Sequence, residues 1–256
     1  MNPQDSSGQP TAAEVLAEVE RRRAEARSPL SETQHRIVIL ADRFVFWLSK
    51  HWLAVFNTLA FLYVGLPVLA PVLMYLGATV PAMIIHTIYV PLCHQLPQRS
   101  FFLFGPQFAY TLPELMERVG TSVIPGPWTD TFIGNEAVGY KMALCQRDTA
   151  IYGMILVSGL AYGLLRRWRN VSPLPWWAYI GLGIVPMLLD GGYQFLSYVL
   201  TTFWSDGPIT PYESTPVMRL ISGALFGWAT VWLAYPLVQE TMEEFQETLH
   251  QRFGWE

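Results

Sequence analysis

From His51 to Gln98 the chain carries no Asp, Glu, Lys or Arg. At about 1.5 Å per helical residue, such a run is longer than the ~30 Å hydrocarbon core of a bilayer requires. Charge gathers instead at the two ends, in residues 1–50 and 239–256. The whole chain is 52% hydrophobic and 14% charged, where a soluble domain carries about 25% charged residues. This segregation predicts an all-α, polytopic helical membrane protein, with four to five transmembrane helices and an N-terminal amphipathic helix. A net charge of −4, with no basic cluster interleaved with aromatics, excludes nucleic acid as a partner. The partner the composition implies is the lipid bilayer.

Three regions follow. Residues 1–50 form a polar N-terminal extension: 1–11 read as disordered, and 12–27 as a surface helix with a thin stripe of Val15, Leu16 and Val19. Residues 32–50 read as an amphipathic interfacial helix. The first thirty residues are too polar for a secretory signal, so insertion is expected to rely on the spans themselves. Residues 51–238 form the transmembrane domain. Residues 52–77 are its first span, and 78–92, broken by Pro81 and Pro91, are either a short second span or part of a bent hairpin. Residues 105–144 hold too much Pro, Gly and charge to cross and read as an extramembrane loop, a length often functional. Spans at 149–165, 176–203 and 216–238 follow, the middle one bounded by Trp176, Trp177 and Trp204 as an aromatic belt. Gly153, Gly159 and Gly163 suggest close helix packing. Residues 239–256 form an acidic tail.

Polar residues interrupt this pattern in four places: Cys93-His94-Gln95-Leu96-Pro97-Gln98-Arg99-Ser100-Phe101, Cys145-Gln146-Arg147-Asp148-Thr149-Ala150-Ile151-Tyr152, Asp190-Gly191-Gly192-Tyr193-Gln194, and Glu213-Ser214-Thr215-Pro216-Val217-Met218-Arg219. Counting the crossings between them puts all four towards one membrane face. Asp190 and Gln194 share a helix face, as do Arg219 and Ser222, while Arg147, Asp148 and Tyr152 crowd one end of a helix. Arg99, Arg147 and Arg219 balance Asp148, Asp190 and Glu213, the condition under which charges survive burial.

In this order the motifs resemble those of an uncharacterised family of prokaryotic membrane proteins, domain of unknown function 2085. Its members show C-H-Q-x-P-x-R-S-F, C-x-R-[CD]-x-[GA]-I-Y, D-G-x-x-Q and E-S-[TN]-x-x-x-R. The resemblance runs from about Cys93 to Gly223 and implies a shared fold and site, without an established reaction. By position it singles out Cys93, His94, Gln95, Arg99, Ser100, Cys145, Arg147, Asp148, Tyr152, Asp190, Gln194, Glu213, Ser214 and Arg219. Asp148 stands where some members carry a third cysteine. The resemblance also implies residence in a prokaryotic plasma membrane.

The chemistry of these residue types supports several readings. Cys93, His94, Cys145 and Asp148 could supply a mixed-ligand site for zinc or another transition metal. The two cysteines, too few for a disulfide framework, could form one bridge or a redox pair. Gln95, Arg99, Ser100, Arg147, Tyr152, Gln194 and Arg219 could hold a small anionic or lipid-linked group, since guanidinium forks suit phosphate and carboxylate. His94, Asp190 and Glu213 are then the candidate acid and bases if a reaction follows. The competing class is a non-catalytic accessory subunit of a larger membrane complex, the polar cluster locking its helices while loop 105–144 and the termini contact other subunits. The arginine-rich N-terminus and the Arg166, Arg167, Arg169 triplet both favour the cytoplasm. Both can lie there only if residues 52–92 cross once in net terms, which puts the motif face outside; a strict count of five spans puts it inside instead, and the compact triplet abutting a span favours the outside.

Overall fold

A computed structural model describes residues 14, 17–19, 21–22, 31–123, 132–203 and 211–255. The disorder expected at 1–11, most of the 12–27 helix, the Trp204 belt position and loop residues 124–131 lie outside the described residues.

Helix α1, Glu32–Tyr75, opens on a capping box in which the Ser31 hydroxyl accepts from the Gln34 amide and Gln34 reaches back to the Ser31 amide. It joins in one rod the interfacial helix and the first span, which their polarity sets apart. The cause is local: no Gly or Pro occurs from Ser31 to Val64, so nothing stops the helix where its polarity changes. The chain turns at Gly77, whose φ is +79°, a conformation glycine adopts without Cβ strain. Helix α2, Thr79–Tyr89, then returns along the end of α1. The Tyr89 hydroxyl donates to the Tyr63 carbonyl at 2.8 Å. Its eleven residues cover about 16 Å, half of a hydrocarbon core. Its length and its return along α1 agree with the bent-hairpin form of the two expected for residues 78–92.

Residues 97–145 hold more order than a loop. A three-stranded antiparallel sheet joins β1 (Ser100–Leu103), β2 (Gly134–Asn135) and β3 (Gly139–Cys145) in the order β1-β3-β2. Helix α3, Leu112–Val119, starts on a Thr111–Glu114 capping box. Phe102, Tyr110, Leu115, Val123 and Val138 form a small core beneath them. The sheet corrects the all-helical expectation at one point. The protein is mostly helical, but β3 lies against α1 and α2, burying Ala143 and Leu144 with Ala70, Ile85 and Tyr89.

From β3 the chain passes directly into α4, Gln146–Leu165. The next helical run, α5, covers 176–203 with two π segments, Ile180–Ile184 and Leu188–Gly192. Helix α6, Pro216–Phe253, carries the last apolar stretch straight into the acidic tail. Among the described residues three helices, α1, α4 and α6, are long and apolar enough to cross a membrane. Leu59 and Phe61 of α1, Leu160 of α4 and Ile221 of α6 stand exposed on their outer faces, as lipid contact requires. The two polar ends meet: Gln246 of α6 donates to the Ser49 carbonyl of α1 at 2.8 Å.

Helices α4 and α6 approach at glycines. A Cβ on Gly227 would lie 2.3 Å from the Ile151 carbonyl oxygen, and one on Gly223 2.7 Å from that of Arg147. The obstacle is backbone, which cannot swing aside, so Gly227→Ala is expected to cost more than the ~1–3 kcal/mol of ordinary overpacking. Gly153 has nothing within 4 Å of the equivalent position. Gly153→Ala should leave the unfolding temperature in detergent unchanged while Gly227→Ala lowers it; equal temperatures would refute the packing.

Candidate functional site

Two groups of side chains occupy the motif face. The first is a thiol cluster. Cys93 sits just beyond α2, its amide bonded to the Tyr89 carbonyl at 2.9 Å. Cys145 ends β3 and caps α4, its sulfur accepting from the Asp148 amide at 3.4 Å. The structure thereby brings one donor atom each from Cys93, Cys145 and Asp148 within 4.8 Å of one another. Both cysteines are unbridged. The Cys145 thiol bonds to Cys93 and holds the Cys93 thiol below its ordinary range, while the same bond pushes Cys145 upward. One sulfur of the pair thus carries charge first and the other retains its proton. The Tyr152 ring lies beside that of Tyr63, centroids 4.2 Å apart.

The second group is an ionic frame tying α4, α5 and α6 to the β1 end. Arg147 of α4 donates to Asp190 Oδ2 at 2.7 Å and to Gln194 at 3.4 Å, as the four-residue spacing of those two predicts. Asp190 lies in the second π segment of α5, a feature common where a helix is reshaped for a site. It also accepts from Ser222 at 2.8 Å and from Ser214. Glu213 accepts four donors: Arg99 Nε at 2.7 Å and Arg219 Nη2 on Oε1, Arg99 Nη2 at 2.8 Å and the Tyr198 hydroxyl at 2.7 Å on Oε2. Burial raises the Glu213 carboxyl, but the bonds from Arg99 and Tyr198 outweigh it and hold the group below its ordinary range. Four donors fill the lone-pair positions of a carboxylate, leaving Glu213 none for a substrate proton. Arg219 is 2% exposed and donates to Gln146 Oε1 at 3.0 Å, and Gln146 donates to the Ser100 carbonyl at 3.1 Å. Ser100 is itself buried, its hydroxyl donating to the Leu96 carbonyl at 3.1 Å.

Residues 136–233 match a family described as a predicted membrane protein, DUF2085. The match spans three of the four motifs and bears out the resemblance read from them. A curated relative, the uncharacterised protein MJ1492 of Methanocaldococcus jannaschii, is 25% identical over 199 residues, covering 75% of this chain and 96% of that protein. No solved structure matches. The DUF2085 match begins just before β3 and ends within α6, so it takes in Cys145, Arg147, Asp148, Asp190, Gln194, Glu213 and Arg219. Cys93 and Arg99 enter the same constellation from outside it.

His94 departs from the expected set. It is exposed and stands apart from the thiol cluster. Gln95 has a φ of +50°, and this left-handed turn sends the Gln95 side chain inward and leaves His94 outside. Gln95 meets His86 instead, with Nδ1 to Oε1 at 2.8 Å and Nε2 donating to the His86 carbonyl at 2.7 Å.

Lys141 was not foreseen. Fully buried in β3, it donates to the Gln95 carbonyl at 2.6 Å. Burial pulls its ammonium down to about 7, opposed by the neighbouring Cys93. The available signal was a lone lysine in the otherwise uncharged run from Ala137 to Gln146. Ser222, which shares a helix face with Arg219 as its spacing predicts, completes the frame by donating to Asp190, and Gln146, the neighbour of Arg147, completes it by accepting from Arg219.

Proposed function

We propose that this DUF2085-type membrane protein holds a transition metal of the zinc class on Cys93, Cys145 and Asp148 at one membrane face. The observation that carries the reading is the convergence of two thiols and a carboxylate within 4.8 Å. Such a set suits zinc, with a fourth position left for water or a ligand. The second coordination layer is built in: Cys145 and Asp148 sit on the first turn of α4, which the Arg147–Asp190 pair anchors to α5. Asp190 and Glu213 serve that frame and not proton transfer.

Elemental analysis of detergent-purified protein should find about one metal per chain, lost in both Cys93→Ser and Cys145→Ser. His94→Ala should retain it. Wild-type protein without stoichiometric metal ends the reading.

A second reading, a non-catalytic accessory subunit, draws support from the internally satisfied Arg99–Glu213–Arg219 group, which is spent on holding α5 and α6 in place. Its partners would be other membrane subunits, reached through loop 105–144 and the termini, and stable co-purification of a second chain tests it. Both readings adopt four crossings, by α1, α4, α5 and α6, in a prokaryotic plasma membrane. The contact between the two polar ends agrees with an even number of crossings. Arg166, Arg167 and Arg169 are then cytoplasmic and the motif face external.

A further inference from the structure

The end of α4 away from the motif face borders a polar cavity of about 440 Å³, within the range of small-molecule sites. One wall is the turn that follows α4, and the other is α6 from Pro236 to Glu243. The two walls carry opposite charge. Arg166, Arg167 and Arg169 line the first, Glu240 and Glu243 the second.

Part of this charge is spent on a fixed bridge. Gln239 Oε1 accepts from Trp52 Nε1 at 3.0 Å and from Arg166 Nη1, while Gln239 Nε2 donates to Glu243 Oε1 at 2.7 Å. The Arg166 guanidinium also lies over the Trp52 ring, 5.9 Å from its centroid. One amide thus joins Arg166 to Glu243 and holds the walls at one edge. The side chains of Arg167, Arg169 and Glu240 make no ion pair or hydrogen bond among the described residues. Two guanidiniums and one carboxylate are left facing one cavity without reaching each other.

The position of the mouth narrows the ligand. The apolar stretch of α4 ends at Leu165 and that of α6 at Val238, so both walls begin where the hydrocarbon ends. Trp168, Trp176 and Trp177 stand exposed beside them, as side chains at headgroup depth do. An anion alone would meet Glu240 with like charge, and a cation alone would meet Arg167 and Arg169. A molecule carrying both signs satisfies both walls. Guanidinium forks suit a phosphate, and a primary ammonium offers a carboxylate three donors.

We propose that this cavity binds a phosphoethanolamine group, with the phosphate on Arg167 and Arg169 and the ammonium on Glu240. A mouth at headgroup depth favours the phospholipid form of that group. The thiol cluster, at the other end of α4, plays no part in it.

Titration calorimetry of the full chain in neutral detergent tests this with short-chain lipids. Dioctanoyl phosphatidylethanolamine should bind saturably. Dioctanoyl phosphatidylglycerol, which lacks the ammonium, should bind about fivefold more weakly, the effect of losing one exposed charge pair. Dioctanoyl phosphatidylcholine, whose ammonium has no N–H to donate, should also bind more weakly. Glu240→Gln should erase the preference for phosphatidylethanolamine over phosphatidylglycerol, and Arg167→Gln with Arg169→Gln should weaken both lipids. All three side chains are exposed, so these variants should keep the wild-type unfolding temperature. Free phosphoethanolamine binding as tightly as the lipid would support the site and assign its occupant to soluble phosphoesters. No saturable binding, phosphatidylglycerol binding as tightly as phosphatidylethanolamine, or a preference that survives Glu240→Gln would overturn the proposal.

Discussion

Asp190→Ala is expected to leave little folded protein. Asp190 is 9% exposed and accepts from Arg147, Ser214 and Ser222, so three elements converge on one carboxylate. Its removal strands the Arg147 guanidinium, whose Nε already has no partner among the described residues, in a largely buried position on the first turn of α4. Breaking one side of a buried ion pair costs about 3–5 kcal/mol, a large part of the 5–15 kcal/mol that holds a typical domain. A paired replacement separates a structural frame from a chemical one. Arg147→Met with Asp190→Asn removes both charges at nearly unchanged side-chain size, so it should recover much of the loss in thermal unfolding. If the single alanine variant unfolds with the wild type, Asp190 does not hold the frame. If the double variant is worse than the single, the pair does more than balance charge.

The fold was legible in the sequence wherever a single helix determines the outcome. Uncharged runs located α1, α4 and α6, and helical spacing put Asp190 and Gln194 where one arginine reaches both. Crossing parity brought Cys93 and Cys145 to one face, and the structure seats their sulfurs in one cluster. What stayed hidden depends on longer-range or finer geometry. The sheet pairs Ser100 with Cys145, a contact across the whole loop that no local pattern announces, and β3 is too short and too mixed to read as either span or strand. The continuity of α1 was hidden by a change in polarity, which a helix does not feel; only backbone chemistry stops it. The exchange of His94 for Gln95 turned on one positive φ at a non-glycine residue. Helical periodicity shows that adjacent side chains cannot both face inward, but it does not say which of the two will.

Lys141 supplies the other large effect, and it is one of pH. Burial sets its folded-state value at about 7, against 10.5 for an ordinary lysine. Below pH 7 both folded and unfolded chains hold the proton, and the cost of burying the ammonium is fully present. Between about 7 and 10.5 only the unfolded chain holds it, so unfolding takes up a proton and rising pH opposes unfolding. Stability should therefore climb through this window, with a slope approaching 1.4 kcal/mol per pH unit from this residue alone, about the free energy of one pKa unit. Lys141→Met keeps the length of the side chain and should flatten the profile. Other groups titrate in the same interval, so the informative quantity is the difference between the two profiles, measured as unfolding midpoints from pH 6 to 10 in one detergent. The absolute level of the variant is set separately, because the Gln95 carbonyl loses its donor. Cys93 provides the internal check: a thiolate there holds the proton on Lys141, so Cys93→Ser should drop the lysine further and start the climb at lower pH. Parallel profiles for wild type and Lys141→Met would mean that Lys141 titrates as an ordinary lysine, and the buried contact with Gln95 would have to be abandoned.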